Sequence, residues 1–303
     1  MQNYSRREFL RTALSGAGVL AATPGLVQAG DPSAPATSRA TDIVALGHTG
    51  VKASRLAQGT GMNGWARQSD HTRLGEKGFD ELVRFSLDQG VNFLDMADLY
   101  GTHPFVRNVI KGLPREKLVL LSKIWVRKED WVTPSGGAVA EVDRFRKELG
   151  VDTIDICLIH CMTDAKWAEV HERVRDDLSA LKQKGAVRAV GVSCHDFGAL
   201  KLAATHPWVD VIFARINNKG GTDYSMDGSA EDVGNVLKLA RSNGKAVVGM
   251  KIFGAGKLVA PDEKDASLRY VFDNKLVDAI TIGMLKKEHV SDAINRINVA
   301  LKA

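Results

Sequence analysis

Short apolar, β-prone runs alternate along this chain with stretches whose apolar residues recur at helical spacing. Eight runs read as strands, over 55–59, 91–95, 118–123, 154–160, 186–192, 209–216, 246–250 and 278–282. Helical patterns lie between them, for example 77–89, 136–149, 167–184, 230–243 and 286–301. Gly90, Gly150, Gly185 and Gly244 follow four of these patterns, where a helix end favours a residue at ease in a left-handed backbone. Strands alternating with helices predict βαβ units on a parallel sheet. Eight such units predict an α/β fold closed as a (β/α)8 TIM barrel rather than an open doubly wound sheet. Ahead of them, 42–46, the turn Gly47-His48-Thr49-Gly50 and 51–53 read as a β-hairpin.

The first thirty residues break this rhythm. Ser5-Arg6-Arg7-Glu8-Phe9-Leu10-Arg11 precedes a modestly apolar stretch over 12–27, interrupted by Gly16, Gly18 and Pro24. Val27-Gln28-Ala29 then fits a small-x-small cleavage site. The whole resembles a twin-arginine export signal. It is short and glycine-rich for a membrane span of about 20 apolar residues, and no cysteine follows it for a lipid anchor, so no stable membrane anchor is expected. Residues 30–41, rich in Pro, Ala, Ser and Thr, read as a linker. The expected organisation is a signal peptide over 1–29, a linker over 30–41 and a barrel domain over 42–303. The resemblance implies passage through the twin-arginine export machinery and a periplasmic location.

Charge and cysteine content narrow the partners. The net charge is +5, of which Arg6, Arg7, Arg11 and Glu8 in the leader contribute +2. A mild basic excess suits an anionic cofactor. No lysine/arginine run with interleaved aromatics points to nucleic acid. The three cysteines, Cys157, Cys161 and Cys194, are too few for a disulfide scaffold and hold no Cys-x-x-Cys metal pair. Cys161 and Cys194 follow adjacent predicted strands, so an oxidising compartment could pair them.

Three consecutive predicted strands end on ionisable groups: Asp95, Lys123 and His160. Tyr100 follows Asp95 by five residues. Barrel enzymes carry their chemistry on this rim, at the C-terminal ends of the strands. The Asp-x-Ala-x-x-Tyr-Gly spacing of Asp95 to Gly101, together with Lys123 and His160, resembles the catalytic tetrad of the aldo-keto reductase family. The resemblance covers most of the chain after about residue 42. It implies reduction of an aldehyde, ketone or sugar carbonyl by hydride transfer from a nicotinamide cofactor, and a hairpin plugging the barrel floor.

The implied roles fit the residue types. A phenol, ordinarily near pKa 10, must be lowered to give its proton near neutral pH, and an adjacent ammonium does this. Tyr100 is then the acid, Lys123 the perturbing cation, Asp95 its holder and His160 the group that orients the substrate oxygen. Asp95, Asp98 and His160 do not read as a metal set, because Lys123 among them would repel a cation. Trp65, Trp125 and His195, in or beside the loops after strand ends, are expected to shape the substrate pocket.

On the cofactor side the resemblance assigns Ser193, Asn217, Gly254, Gly256, Gly283 and Lys286. Ser193 stands where the family has the Ser of a Ser-Asn pair on the nicotinamide amide, and Asn217 where an Asn ends the sixth strand. Gly254-Ala255-Gly256-Lys257 and Thr281-Ile282-Gly283 offer backbone N–H groups for phosphate. Lys286 and Lys287 would meet a 2′-phosphate, which favours NADPH, with NAD the alternative. Four positions depart from the family: Cys194 for Asn, Phe213 for Gln, Met250 for a stacking aromatic and Ala293 for Asn. These departures leave two other readings, a non-catalytic ligand-binding barrel that retained the tetrad and a cofactor-free sugar isomerase or lyase.

Overall fold

A computed structural model describes residues 38–126 and 137–302. The predicted signal and most of the linker lie outside the described residues. β1 (Ile43–Ala45) and β2 (Lys52–Ser54) pair antiparallel as the predicted hairpin. The barrel strands are β3 (Leu56–Gly59), β4 (Phe93–Asp95), β5 (Val119–Ile124), β6 (Ile154–Met162), β7 (Val187–Cys194), β8 (Val211–Arg215), β9 (Ala246–Met250) and β10 (Ala279–Gly283). All eight are parallel, in chain order around the barrel, and β10 closes on β3 with Thr281 beside Ala57 and Gly283 beside Gly59.

Each barrel strand is followed by helix. In chain order these are α1 (Gly75–Asp88), α2 (His103–Ile110), α3 (Ala138–Leu149), α4 (Trp167–Val170), α5 (Glu172–Gln183), α6 (Phe197–Thr205), α7 (Ala230–Ser242), α8 (Pro261–Asp273) and α9 (Lys287–Ala300). The single helix expected over 167–184 is two, broken at His171. Trp167 explains the break. Its indole donates to the Ala199 carbonyl and packs against His206, which commits α4 to the next crossover, while Leu178 and Leu181 turn α5 onto the barrel. Among the described residues no helix is long and apolar enough to cross a membrane.

The strand period of two divides the core. One face of the strands points into the barrel and supplies Ala57, Phe93, Val119, Leu121, Ile156, Leu158, Ala189, Val211, Phe213, Val248 and Ala279. The other face, with Leu94, Leu120, Ile159 and Val192, meets the helix layer through residues such as Phe79, Phe145 and Leu237. Truncating a fully buried ring such as Phe93 or Phe79 to Ala costs about 3–5 kcal/mol. Leu46, Val51 and Ala53 of the hairpin join the interior cluster from the floor. Gly47 makes this possible: its φ is +48°, and a Cβ there would lie 2.4 Å from the Ala246 nitrogen. Plugging the floor leaves the opposite rim as the open end.

Candidate active site

Continuing the inward face by one residue pair beyond the apolar interior gives the mouth: Gly59, Asp95, Lys123, His160, Ser193, Arg215, Met250 and Thr281. All but Arg215 line one cavity of about 510 Å3. Tyr100 reaches it from a 3-10 turn, Asp98–Tyr100, that follows β4 and ends on Gly101 in the left-handed conformation. The four residues of the predicted tetrad therefore face the same space.

Their contacts are specific. Lys123 Nζ donates to Asp95 Oδ1 and, at 2.9 Å, to the Met96 carbonyl. Thr281 Oγ1 donates to Asp95 Oδ2 at 2.8 Å. Asp95 and Lys123 are both buried, so their attraction is little screened and must offset the loss of solvent around each charge. Lys123 Nζ stands 5.0 Å from the centre of the Tyr100 ring and 5.1 Å from that of Phe213. The His160 ring meets Tyr100 edge-on at 5.7 Å and Trp125 edge-on at 5.5 Å. Its Nδ1 is buried without a hydrogen-bond partner among the described residues.

The electrostatics correct one expectation. Burial, with help from the Asp95 carboxylate, pushes the Tyr100 phenol well above its ordinary 10 rather than below it. The reason is that the Lys123 charge is already taken up by Asp95, while its ammonium lies by the ring and makes no hydrogen bond to the phenol oxygen. Burial lowers Lys123 itself, against the hold of Asp95, and the neighbouring Lys251 adds to the lowering. Burial and the Lys123 charge keep His160 well below 6.5, hence neutral near pH 7.

Of the residues assigned to the cofactor, Ser193, Gly256 and Gly283 line the cavity. Ser193 Oγ also accepts the Cys161 N–H at 2.7 Å. Three others do not line it. Asn217 is fully buried and spent on its own loop: Nδ2 donates to the carbonyls of Tyr224 and Lys251, and Oδ1 accepts from the N–H groups of Lys219 and Gly220. Gly254 is buried behind Ala255 and Gly256. Lys286 is the exposed residue before α9, in an extended conformation, and Lys287 turns to Glu81 at 3.7 Å. Among the pocket residues, His195 lines the cavity, whereas Trp125 and Trp65 stand beyond its lining, edge to face at 5.7 Å, with Trp65 53% exposed. No disulfide joins Cys157, Cys161 and Cys194 among the described residues.

The lining also holds residues that the strand-end reading assigned no role: Thr281, Lys251, Phe253, Lys264 and His289. Lys251 adopts φ +58°, unusual for a side chain with a Cβ, and its carbonyl is fixed by Gly254 N–H at 2.8 Å and Asn217. Among the described residues Lys251 and Lys264 have no carboxylate at ion-pair distance, and Asp95 is the only carboxylate on the lining. This half of the cavity therefore carries lysine side chains whose charge no carboxylate among the described residues offsets. Thr281 was findable, since it lies on the inward parity of its strand; Lys264 and His289 sit one turn inside helices and carry no such signal.

Comparison with known proteins bears on the family and the fold. The sequence model of the Aldo/keto reductase family matches residues 55–269. A 6-dehydroglucose reductase of Novosphingobium aromaticivorans is 29% identical over 207 residues, which are 60% of this chain and 64% of that protein. An NADH-specific methylglyoxal reductase of Escherichia coli is 26% identical over 225 residues, 67% of this chain and 65% of that protein. The chain thus spans less than two thirds of the length of the curated relatives it matches. A solved aldo-keto reductase of Pseudomonas aeruginosa superposes with a TM-score of 0.70 at 23% identity, covering 87% of this chain and 97% of the other. One from Klebsiella pneumoniae, solved with NADPH, gives 0.61 at 17%, covering 86% and 90%. With the family's sequence model matched across the barrel and the closed eight-stranded fold in place, the chain belongs to the aldo/keto reductase family.

Proposed function

We propose that this protein reduces an aldehyde, ketone or sugar carbonyl with NADPH, Tyr100 giving the proton. The observation that carries the reading is the buried Asp95–Lys123 pair set beside a phenol and a neutral imidazole, all on one cavity. The cavity's other half fits a nicotinamide dinucleotide by donor type. Ser193 offers a hydroxyl, Met250 a thioether that packs on a ring edge, and Gly256 a position where a Cβ would meet open space. Lys251 and Lys264 offer cations for phosphates. When bound, the cofactor supplies the hydride.

This chain's residues do the rest. A raised phenol pKa keeps Tyr100 protonated through neutral pH, and the alkoxide forming at the carbonyl oxygen, a far stronger base than the phenolate, takes that proton. A neutral His160 donates a hydrogen bond to the same oxygen and orients it. The relatives include an NADH-specific enzyme and a structure with NADPH; the two lysines without a carboxylate partner support the cofactor with the additional phosphate.

The test is titration of the purified protein with NADPH and NADH by fluorescence, followed by turnover of carbonyl substrates. Binding with loss of turnover in Tyr100→Phe supports the reading. Absence of binding to both cofactors overturns it. A second reading, a barrel that binds a ligand without hydride transfer, is favoured by Asn217 and Cys194 being turned away from the cavity. Cofactor-free binding of a carbonyl compound in the same titration would establish it. The leader resemblance supports an exported, periplasmic protein. Replacing both Arg6 and Arg7 with Lys should then leave the unprocessed chain in the cytoplasm, and unchanged export would reject that route.

A further inference from the structure

The loop after β3 wraps the proposed acid. A Cβ on Gly61 would lie 2.3 Å from Cζ and Cε2 of the Tyr100 ring, and one on Gly64 2.5 Å from its Cδ1. The ring is thus held between two backbone segments that no other residue type permits. Gly64 N–H donates to the Gly61 carbonyl at 3.1 Å, so the two glycines form one turn.

The loop is anchored at both ends. At its base, Thr60 donates from N–H at 3.0 Å and from Oγ1 at 2.8 Å to the Asp95 carbonyl. Beyond the glycines, Trp65 and Gln68 exchange backbone hydrogen bonds at 2.9 Å around a turn in which Ala66 and Arg67 both have positive φ, 50° and 60°. Such a turn normally uses Asn and Gly, so surrounding contacts must hold it. They centre on Arg67. Its side chain meets Glu148, and Asp98 at 3.6 Å. Its carbonyl lies so close to Gly101 that a Cβ there would be 1.9 Å away. Asp98 and Gly101 bracket Tyr100, and Arg144 grips the same Asp98 at 2.7 Å.

We infer that the loop over 61–68 positions the Tyr100 hydroxyl, with Gly61 and Gly64 clamping the ring and Arg67 pinning the loop to the turn that bears it. The inference rests on Tyr100 being the proton donor, but its first readout does not. The chain has four tyrosines. Labelled with 3-fluorotyrosine, the full chain gives resonances of which the one lost in Tyr100→Phe belongs to Tyr100. In Gly64→Ala and Arg67→Ala that resonance should shift and broaden while the others hold. Arg67→Lys should restore it. Turnover should fall at least tenfold in the two Ala variants, with NADPH affinity within about twofold, and recover in part in Arg67→Lys. If Gly64→Ala does not fold, the Arg67 pair decides. An unmoved Tyr100 resonance in Arg67→Ala overturns the inference, as does a moved resonance with unchanged turnover. Retained turnover in Tyr100→Phe would instead overturn the proposed function and leave the clamp standing.

Discussion

Thr281 reaches Asp95 across the seam that closes the barrel, its hydroxyl donating at 2.8 Å to the carboxylate oxygen that Lys123 leaves free. Asp95 is thereby fixed by partners on β5 and β10, on either side of its own strand. Removing the hydroxyl in Thr281→Val should let the carboxylate rotate and loosen Lys123. A hydrogen bond to a charged group is worth about 1.5–3 kcal/mol. We expect turnover to fall about tenfold with cofactor affinity little changed, measured by steady-state kinetics and fluorescence titration. Wild-type turnover in the variant would mean that Lys123 alone holds Asp95.

The buried pair makes a stability prediction independent of activity. Lys123→Met leaves Asp95 buried with the Thr281 hydroxyl as its remaining side-chain hydrogen-bond donor, at a cost of about 3–5 kcal/mol. Adding Asp95→Asn should recover most of the loss, because the double variant buries no uncompensated charge. Denaturant midpoints of the two single variants and the double variant measure this coupling. A double variant no more stable than Lys123→Met would refute it.

The pH dependence follows from two shifted groups. Burial and Asp95 raise Tyr100, so the phenol stays protonated through neutral pH; burial and Lys123 depress His160, so the imidazole stays neutral. Reduction should then run at a constant kcat from about pH 6 to 9. Alcohol oxidation, which needs the phenolate, should rise with pH over the same range. A basic limb near pH 7 in the reductive profile would show that ligand binding brings Lys123 to the phenol oxygen.

Cofactor contacts give a discriminating pair of variants. Lys264 lines the cavity without a carboxylate partner, whereas Lys286 stands exposed outside it. Lys264→Ala should weaken NADPH about tenfold, roughly 1.4 kcal/mol, and Lys286→Ala by less than twofold. The reverse order would restore the sequence-based assignment of Lys286.

The barrel was legible because its signals are local and repeated. Apolar runs of strand length ended at Asp95, Lys123 and His160, and the period of two carried each onto the inward face. The cofactor half was less legible, since its positions depend on where a strand stops turning inward. Asn217 lies on the inward parity of β8 but beyond its last residue, Arg215, where the chain bends and consumes the amide. The lysine that faces the cavity from the first turn of α8, Lys264, follows the glycine-rich loop that suggested phosphate by a few residues but carries no motif of its own. The role of Gly61 and Gly64 had no sequence signature, because a glycine's reason is the atom it lets approach.

Acid should unfold the protein in two stages. Burial lowers His71 to about 4, although its Nε2–H donates to the Met284 carbonyl at 3.0 Å; Nδ1 is buried and unpartnered among the described residues, so a second proton has no acceptor. A folded pKa below the unfolded 6.5 means stability that is full above pH 6.5 and lost as pH falls towards 4, on the order of 3 kcal/mol. Glu148 follows. Burial opposes its charge, but His103, Arg67 and Arg144 outweigh this and bring it to about 2. Its contribution is full above the ordinary 4.5 and lost between there and pH 2. Urea midpoints from pH 8 to 3 should therefore begin to drop near 6.5 and steepen below 4.5. His160, also depressed by burial, loses stability over the same range, so His71→Asn should make the first decline shallower without abolishing it, and leave the second. If the wild type and His71→Asn fall in parallel between pH 6.5 and 4.5, another group carries the early loss.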